Sequence, residues 1–513
     1  MTLRVLVLSA LVAASSGVAA QEAATDRPLS VIDWLGTRTP APAGTAVPLA
    51  EPPVATSGSV PAVSVQALGS GSARQIGLVP PAVTGLPPDP WRGSDAAQVS
   101  QKLANLKEPR LPAAQALLYT VLLAEAGAPG GEAAAGDALA LARVRTLVRM
   151  GALDPALALV EQAGVATSPA HFALWMDIAL LTGQEDRACL TLQKAPHLSA
   201  DYATRIFCDA RVGAWEDAAL TFGSAQALGL MDADRLALLD RFLNPDLFED
   251  AAPLPPPRQM DPLVFRLFET IGESLPTGRL PRPYAVADLR DIAGWKAQLE
   301  AGERLTRAGA LPDNRLLGLY TEHKPAASGG IWDRADALQR FDTALATGSA
   351  DAVAKTLPPA WEAMREAELE PAFAALFADP LAALTLEGPA ARIAFEAGLL
   401  SARYEDTAAA APDLPETALL RDVAAGEPSV ARPQETRAEA VWEAFTGAAP
   451  RDDLVALSRE GRLGESLLAL VAMLEEGASG DALALRDALA TLRALGLEDT
   501  ARRAALQVLL LER

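Results

Sequence analysis

Cysteine, histidine and aromatic residues are scarce in this chain, and each scarcity closes off a class of chemistry. Two cysteines, Cys189 and Cys208, occur in 513 residues; with no C-x-x-C between them they make neither a redox pair nor a zinc site. Three histidines, His171, His197 and His323, are too few and too scattered for most metal sites, and the first two are expected to be solvated, in a helix start and a turn. No H-E-x-x-H, P-loop, G-x-S-x-G or G-x-G-x-x-G is present. No catalytic, cofactor-binding or metal residue is therefore assigned.

Positive charge is also short: 44 Lys and Arg stand against 65 Asp and Glu, a net charge of −21. No basic run interrupts the field, which repels nucleic acid, anionic lipid and acidic polymers. A basic protein partner remains compatible. Aromatics make up 5% of the chain, and the alternating β-branched runs that mark strands are missing. Alanine, leucine, glutamate and arginine, the residues that cost least in a helix, are abundant. The expected fold class is all-α.

The N-terminus is tripartite. Arg4 supplies a positive start, Val5 to Ala14 a short apolar run, and Val18, Ala19 and Ala20 the small residues that precede cleavage. Residues 1–20 read as a secretory signal peptide cleaved before Gln21, and the apolar run is too short to cross a bilayer. No transmembrane segment is expected in the mature chain, which points to the periplasm. In that compartment a disulfide is permitted. Pro196 to Ala200 reads as a turn midway between Cys189 and Cys208, so an antiparallel helical hairpin brings the two side by side.

Residues 21–92 are rich in Pro, Ala, Gly and Ser and read as a disordered linker, broken by the islands Val31–Leu35 and Ala73–Val79. Each island docks either on a partner or on the chain's own surface. Helical periodicity starts at Ser94 or Asp95 and fills 93–250. A Pro-rich break follows over 251–285, and a second helical array over 286–513, in which short helices at 351–356 and 361–369 flank Pro358-Pro359.

Three junctions in the first array share a form. Gly151, Gly183 and Gly213 each follow an apolar helix, precede an acid by two or three positions, and have Ala156, Ala188 or Ala218 five positions on. Glycine ends one helix, the acid opens the next, and alanine permits close packing. Gly496 repeats the pattern near the C-terminus. Over Leu139 to Gly229 this resembles the tetratricopeptide-repeat (TPR) family, although the family's Trp and Tyr positions are not reproduced. The resemblance implies an α-solenoid whose first helices, near 139–150, 172–182 and 200–212, line a concave binding face.

Few residues remain for chemistry. Asp232-Ala-Asp234 lacks the Gly and Glu of a calcium loop and reads as a helix start. Glu273-Ser274 and Glu465-Ser466 share the Glu-Ser dipeptide of lytic transglycosylases, but not the segment that follows it there. The densest polar loop runs from Tyr320 to Asp333 and carries Glu322, His323, Lys324 and Trp332. It is either a binding loop or a helix connection with Trp332 stapled before an Asp333 cap. The leading expectation is an exported, non-catalytic scaffold for protein–protein interaction. An envelope enzyme centred on residues 320–333 and a structural spacer are the alternatives.

Overall fold

The structure is a computed structural model that describes residues 75–412, 414–429 and 431–511. The expected leader, its expected cleavage point and the Val31–Leu35 island lie outside them. Among the described residues all regular structure is helical, apart from the isolated bridges Ile76–Ala126 and Val79–Ala124. No helix there is long and apolar enough to cross a membrane.

The first part of the chain comprises α1 (Pro81–Thr84), α2 (Ala96–Asn105), α3 (Pro112–Leu123), α4 (Ala133–Met150), α5 (Leu153–Ala163), α6 (Pro169–Thr182), α7 (Glu185–Lys194), α8 (Tyr202–Arg211), α9 (Trp215–Ala227) and α10 (Ala233–Leu243). Helix starts follow local chemistry: Asp95, Ser168, Asp201 and Asp232 each accept a backbone N–H of the first turn. Asp232 is thus a cap. From α4 to α9 each helix packs on the next. Gly151 ends α4 at φ +84°, where it caps the Leu147 and Val148 carbonyls. A Cβ there would also fall 2.7 Å from Leu305, so the position demands glycine twice over.

The remainder comprises α11 (Pro262–Thr270), α12 (Trp295–Thr306), α13 (Asp313–Thr321), α14 (Ile331–Ala346), α15 (Ala350–Glu366), α16 (Glu370–Ala382), α17 (Gly388–Leu400), α18 (Tyr404–Ala410), α19 (Pro415–Ala425), α20 (Thr436–Thr446), α21 (Asp452–Arg459), α22 (Leu463–Ala478), α23 (Ala482–Ala494) and α24 (Glu498–Leu510). A 3₁₀ segment, Arg282–Leu289, stands where a helix was expected to resume near Val286.

Two expectations about this part give way. Pro358 and Pro359 do not divide a pair of helices but sit inside α15. Val353, Leu357, Ala360, Trp361 and Met364 form one buried stripe along it, and that burial outweighs the backbone hydrogen bonds the prolines forgo. Residues 75–92, placed in the disordered linker from their composition, are packed: Ile76, Leu86 and Trp91 are buried. Of the two readings of the 73–79 island, Gln75–Val79 follows the second and docks on the chain's own surface.

Burial is shared between distant parts of the chain. The larger core runs from Ile76 to Ala287, resumes at Leu399 and continues to Val508. The smaller core holds Ala285 to Leu400, with Leu511. Helices α22 and α24 pack directly on α3, and α22 also touches α2. Helix α6 is buried on nearly every side, by α4, α5, α7, α11 and the 282–289 segment, as an all-round apolar helix requires. Residues 282–289 pack on α4 and α6, which were expected to line a binding face as first helices, and α11 packs on α6 as well.

Candidate interaction groove

Where α2 meets α22 a groove of about 910 Å³ opens. Its walls are brought together by contacts no local rule supplies. The buried Trp91 indole lies over Gly464, where a Cβ would fall 2.3 Å from the ring. Gly464 N–H donates to the Pro90 carbonyl at 2.9 Å, and Gly93 N–H to the Gly461 carbonyl at 3.0 Å. At the other end Glu475 accepts the Arg110 N–H at 2.7 Å and the Leu111 N–H at 3.2 Å, while Gln507 accepts the Ala113 N–H at 2.7 Å. Leu111 has no side chain to cap α3 and Pro112 opens the helix. Glu475 from α22 and Gln507 from α24 satisfy the N-terminal donors that α3 cannot meet itself.

The exposed side of α2 lines the groove with Gln98, Gln101, Lys102 and Asn105, at helical spacing. Opposite them Leu468, Ala469 and Ala472 of α22 form a small apolar floor. Charges balance: Lys102, Lys107 and Arg110 against Glu108, Glu475 and Glu476. Lys102 leans to Glu465 at 3.4 Å and Arg110 to Glu475 at 3.0 Å. On a chain of net charge −21, this surface is neutral, rich in side-chain amides and apolar at its base.

The 320–333 loop is assembled differently from the way its sequence suggests. Tyr320 is fully buried and donates to Glu303 Oε1 at 2.5 Å, while Arg334 grips the same carboxylate at 2.7 and 3.2 Å. Burial, then the Glu303 charge, push the Tyr320 hydroxyl well above its ordinary range. Glu322 and His323 are exposed and 3.7 Å apart, and Lys324 is exposed. Trp332 packs on Trp295, whose ring also meets His323 edge-on. Asp333 is not the cap: Gly330 holds that position at φ +55°, and Asp333, three residues into the turn, reaches back to the Gly329 N–H at 2.9 Å. Trp332 is the second residue inside α14 and packs on Trp295, so it does not staple the helix start. A cavity of about 460 Å³ lies between this turn and Lys296, Glu300 and Glu303 of α12.

Other sequence candidates have structural placements. Cys189 on α7 and Cys208 on α8 form a disulfide, with Cα atoms 4.7 Å apart, across the short 3₁₀ turn Pro196–Leu198. His197 is exposed, but His171, expected in solvent, is buried with Nδ1 2.9 Å from the Ser168 hydroxyl. Its place in the first turn of an all-round apolar helix puts it inside. Glu465 is fully buried and held by the Arg462 guanidinium. Burial raises its pKa, but Arg462 and Lys102 overcome that and keep it below the carboxylate range, so it is fixed as an ion and not as a proton donor. Glu273 accepts from Arg241 and from the Leu254 N–H, securing the Pro-rich segment. Gly183 faces the Arg290 side chain, whereas Gly213 and Gly496 have open space beside them.

Two residues escaped the sequence reading. Arg143, in the middle of an apolar helix, is buried and donates to the carbonyls of Leu122, Ile76 and Ala124 at 2.6–2.8 Å. Burial pulls its pKa to about 10, which leaves it charged at neutral pH. Asp177 on α6 is raised to about 7, by burial first and then by Asp261. A charged residue inside an apolar run is the signal both share. Among the described residues no group of three His, Cys, Asp or Glu could hold a metal ion. Comparison with protein-family models, with curated proteins and with solved structures gives no match.

Proposed function

We propose that this chain is an exported helical scaffold that holds an extended segment of another envelope protein in the groove between α2 and α22. The observation that carries the reading is that groove: a neutral, amide-lined and apolar-floored channel on a strongly acidic chain. Amide side chains both donate and accept, which suits the alternating N–H and C=O of an extended backbone. The small floor residues Ala469 and Ala472 leave room for apolar side chains beneath.

Export to the periplasm is supported by the leader-like residues 1–20 and by the Cys189–Cys208 bond, which persists only in an oxidising compartment. A TPR-like origin for the first array is supported by the serial packing of α4 through α9 and by the glycine ends of α4 and α6. The proposed binding face lies between α2 and α22 rather than along the first helices of the array, two of which, α4 and α6, carry the chain's own residues 282–289.

A photo-crosslinker placed at Gln101 tests the reading in envelope preparations. Adducts to a discrete protein, lost when Ala472 is replaced by Trp, are the expected result. Capture should change little with salt, because the groove is balanced in charge. Adducts confined to crosslinkers in the 320–333 loop, or a turnover abolished by Glu322→Gln, would transfer the function to that loop.

A further inference from the structure

Among the described residues eleven large hydrophobic side chains are exposed, and four of them, Trp215, Leu220, Leu228 and Leu230, fall within the sixteen positions 215–230. The other seven are scattered between Val83 and Leu483. The same stretch lacks charge: 218–231 contains no Asp, Glu, Lys or Arg. An equally uncharged run, 111–124, makes α3, which buries seven of its twelve residues. Helix α9 buries two of thirteen, Ala218 and Ala225, and packs on α8 and α10. A surface helix ordinarily carries charge on its outer face, and beyond its first turn α9 carries none.

That outer face has relief. Leu220, Ser224 and Leu228 recur at four-residue spacing and form a ridge, with Leu228 still in right-handed helical backbone. Beside it Trp215, Ala219, Gly223 and Ala227 make a second row at the same spacing, shallow over its last three members. A Cβ at Gly223 would meet nothing within 4 Å. Glycine is unfavourable inside a helix, and nothing in the chain's own fold around this position requires it. A second helix crossing closely there does.

We infer that α9 is the contact of a homodimer, in which two copies cross antiparallel at Gly223 with the leucine ridge of each seated in the shallow row of the other. Ridge and row lie side by side on one face, so the surface is complementary to itself, as a two-fold axis demands. Interlocked four-residue ridges are a common helix crossing. Charge selects the antiparallel sense. Glu216 and Asp217 open the helix, and an antiparallel crossing at Gly223 keeps the two copies of Glu216 about 20 Å apart, beyond the screening length of about 8 Å. A parallel pair sets these acids side by side, on a chain whose net charge is already −21. The area suffices as well. Trp215, Leu220, Leu228 and Leu230 are 51, 71, 71 and 45% exposed, which amounts to roughly 450 Å² per copy. Two copies bring roughly 900 Å² before Ala219, Ser224 and Ala227 contribute, and a specific interface needs about 1,000 Å². The face shares no residue with the groove between α2 and α22, so the dimer presents two grooves and does not depend on what they bind.

The test is sedimentation equilibrium of the mature full-length chain from about 1 to about 100 μM. A monomer–dimer equilibrium is expected, weakened at least tenfold by Leu220→Glu. Leu220 is in solvent in the single chain, so the circular dichroism and the melting temperature of the monomer should match the parent. Gly223→Leu distinguishes a fitted crossing from simple stickiness, because it adds apolar surface and favours the helix. Stickiness would tighten association, whereas the crossing should weaken it at least tenfold. Disulfide trapping reads the orientation: with Cys189 and Cys208 bonded to each other, Ser224→Cys should link two copies on mild oxidation, and Glu216→Cys at least fivefold less. A chain that stays monomeric at about 100 μM, a dimer indifferent to Leu220→Glu, tighter association in Gly223→Leu, or preferential linkage in Glu216→Cys each overturns the inference.

Discussion

Trp91 and Gly464 form a close-fitting pair across 373 residues of sequence: the indole occupies the space a side chain at 464 would need. The ring is 1% exposed. It fixes the start of α2 against the start of α22 and so sets the mouth of the groove. Trp91→Ala should cost about 3–5 kcal/mol, and Gly464→Val should be comparably damaging through overlap with the ring. Urea unfolding monitored by far-UV circular dichroism measures both. If either variant loses less than 1 kcal/mol, the pair does not hold the groove together.

Arg143 closes three carbonyls from three different segments: the Gln75–Val79 strap, the end of α3 and the residues just after it. Arg143→Met keeps apolar bulk but leaves the Leu122 and Ala124 carbonyls without that donor, while the Ile76 carbonyl keeps the Ala126 N–H; each unsatisfied buried group costs about 1–3 kcal/mol. The expected result is a loss of about 3 kcal/mol or more, with new proteolytic cleavage near residues 75–79. Arg143→Lys should recover only part of this, because an ammonium lacks the forked reach of the guanidinium. Full recovery by lysine would show that charge alone matters.

The bond between Cys189 and Cys208 closes a loop of 19 residues, for which chain entropy supplies about 3 kcal/mol. Reduction, or the double change to serine, should lower stability by about that amount and leave the helix content unchanged. Mass spectrometry of unreduced peptides from envelope-isolated protein should contain the linked pair. Two alkylatable thiols in that sample would remove the argument for an oxidising compartment.

Asp177 gives the stability a pH signature. Its folded pKa, about 7, lies above the ordinary 3.8 because burial and the neighbouring Asp261 disfavour the charged form. Tyr284 faces both acids, and Arg235 pairs with Asp261. With the folded value raised, the folded state binds the proton more tightly. The stabilisation is full below about pH 4 and is lost as pH rises through about 7. Asp177→Asn should flatten that part of the profile and melt several degrees above the parent at pH 7.5, with a smaller difference at pH 4.5. Parallel melting curves for parent and variant would refute this.

Much of the helical layout was legible because its signals are local. Asp95, Asp232, Gly151 and Gly183 act within one turn of their own position, and the Cys189–Cys208 pairing follows from symmetry about one tight turn. What was not legible depends on partners far along the chain. Nothing near Leu111 announces that Glu475 and Gln507 will cap α3, and nothing near Gly464 announces a tryptophan. Pro358-Pro359 misled because a buried stripe overrode a local preference. The 75–92 segment misled because its composition resembles linker while Ile76, Leu86 and Trp91 supply the few anchors it needs. Glu322, His323 and Lys324 of the 320–333 loop are exposed, but Tyr320 turned inward to a carboxylate that lies 17 residues earlier.

The capping of α3 from α22 and α24 also sets a schedule for biogenesis. A chain that emerges N-terminus first delivers α3 long before Glu475 and Gln507 exist in the folding compartment. Until they arrive, the opening donors of α3 rely on water and the seat for the Trp91 indole is unbuilt. Closure is a contact of very large sequence separation, the kind that folds slowly. During that interval the N-terminal helices are exposed to proteases and to any holding chaperone, and the final sixty or so residues act as the latch that ends it.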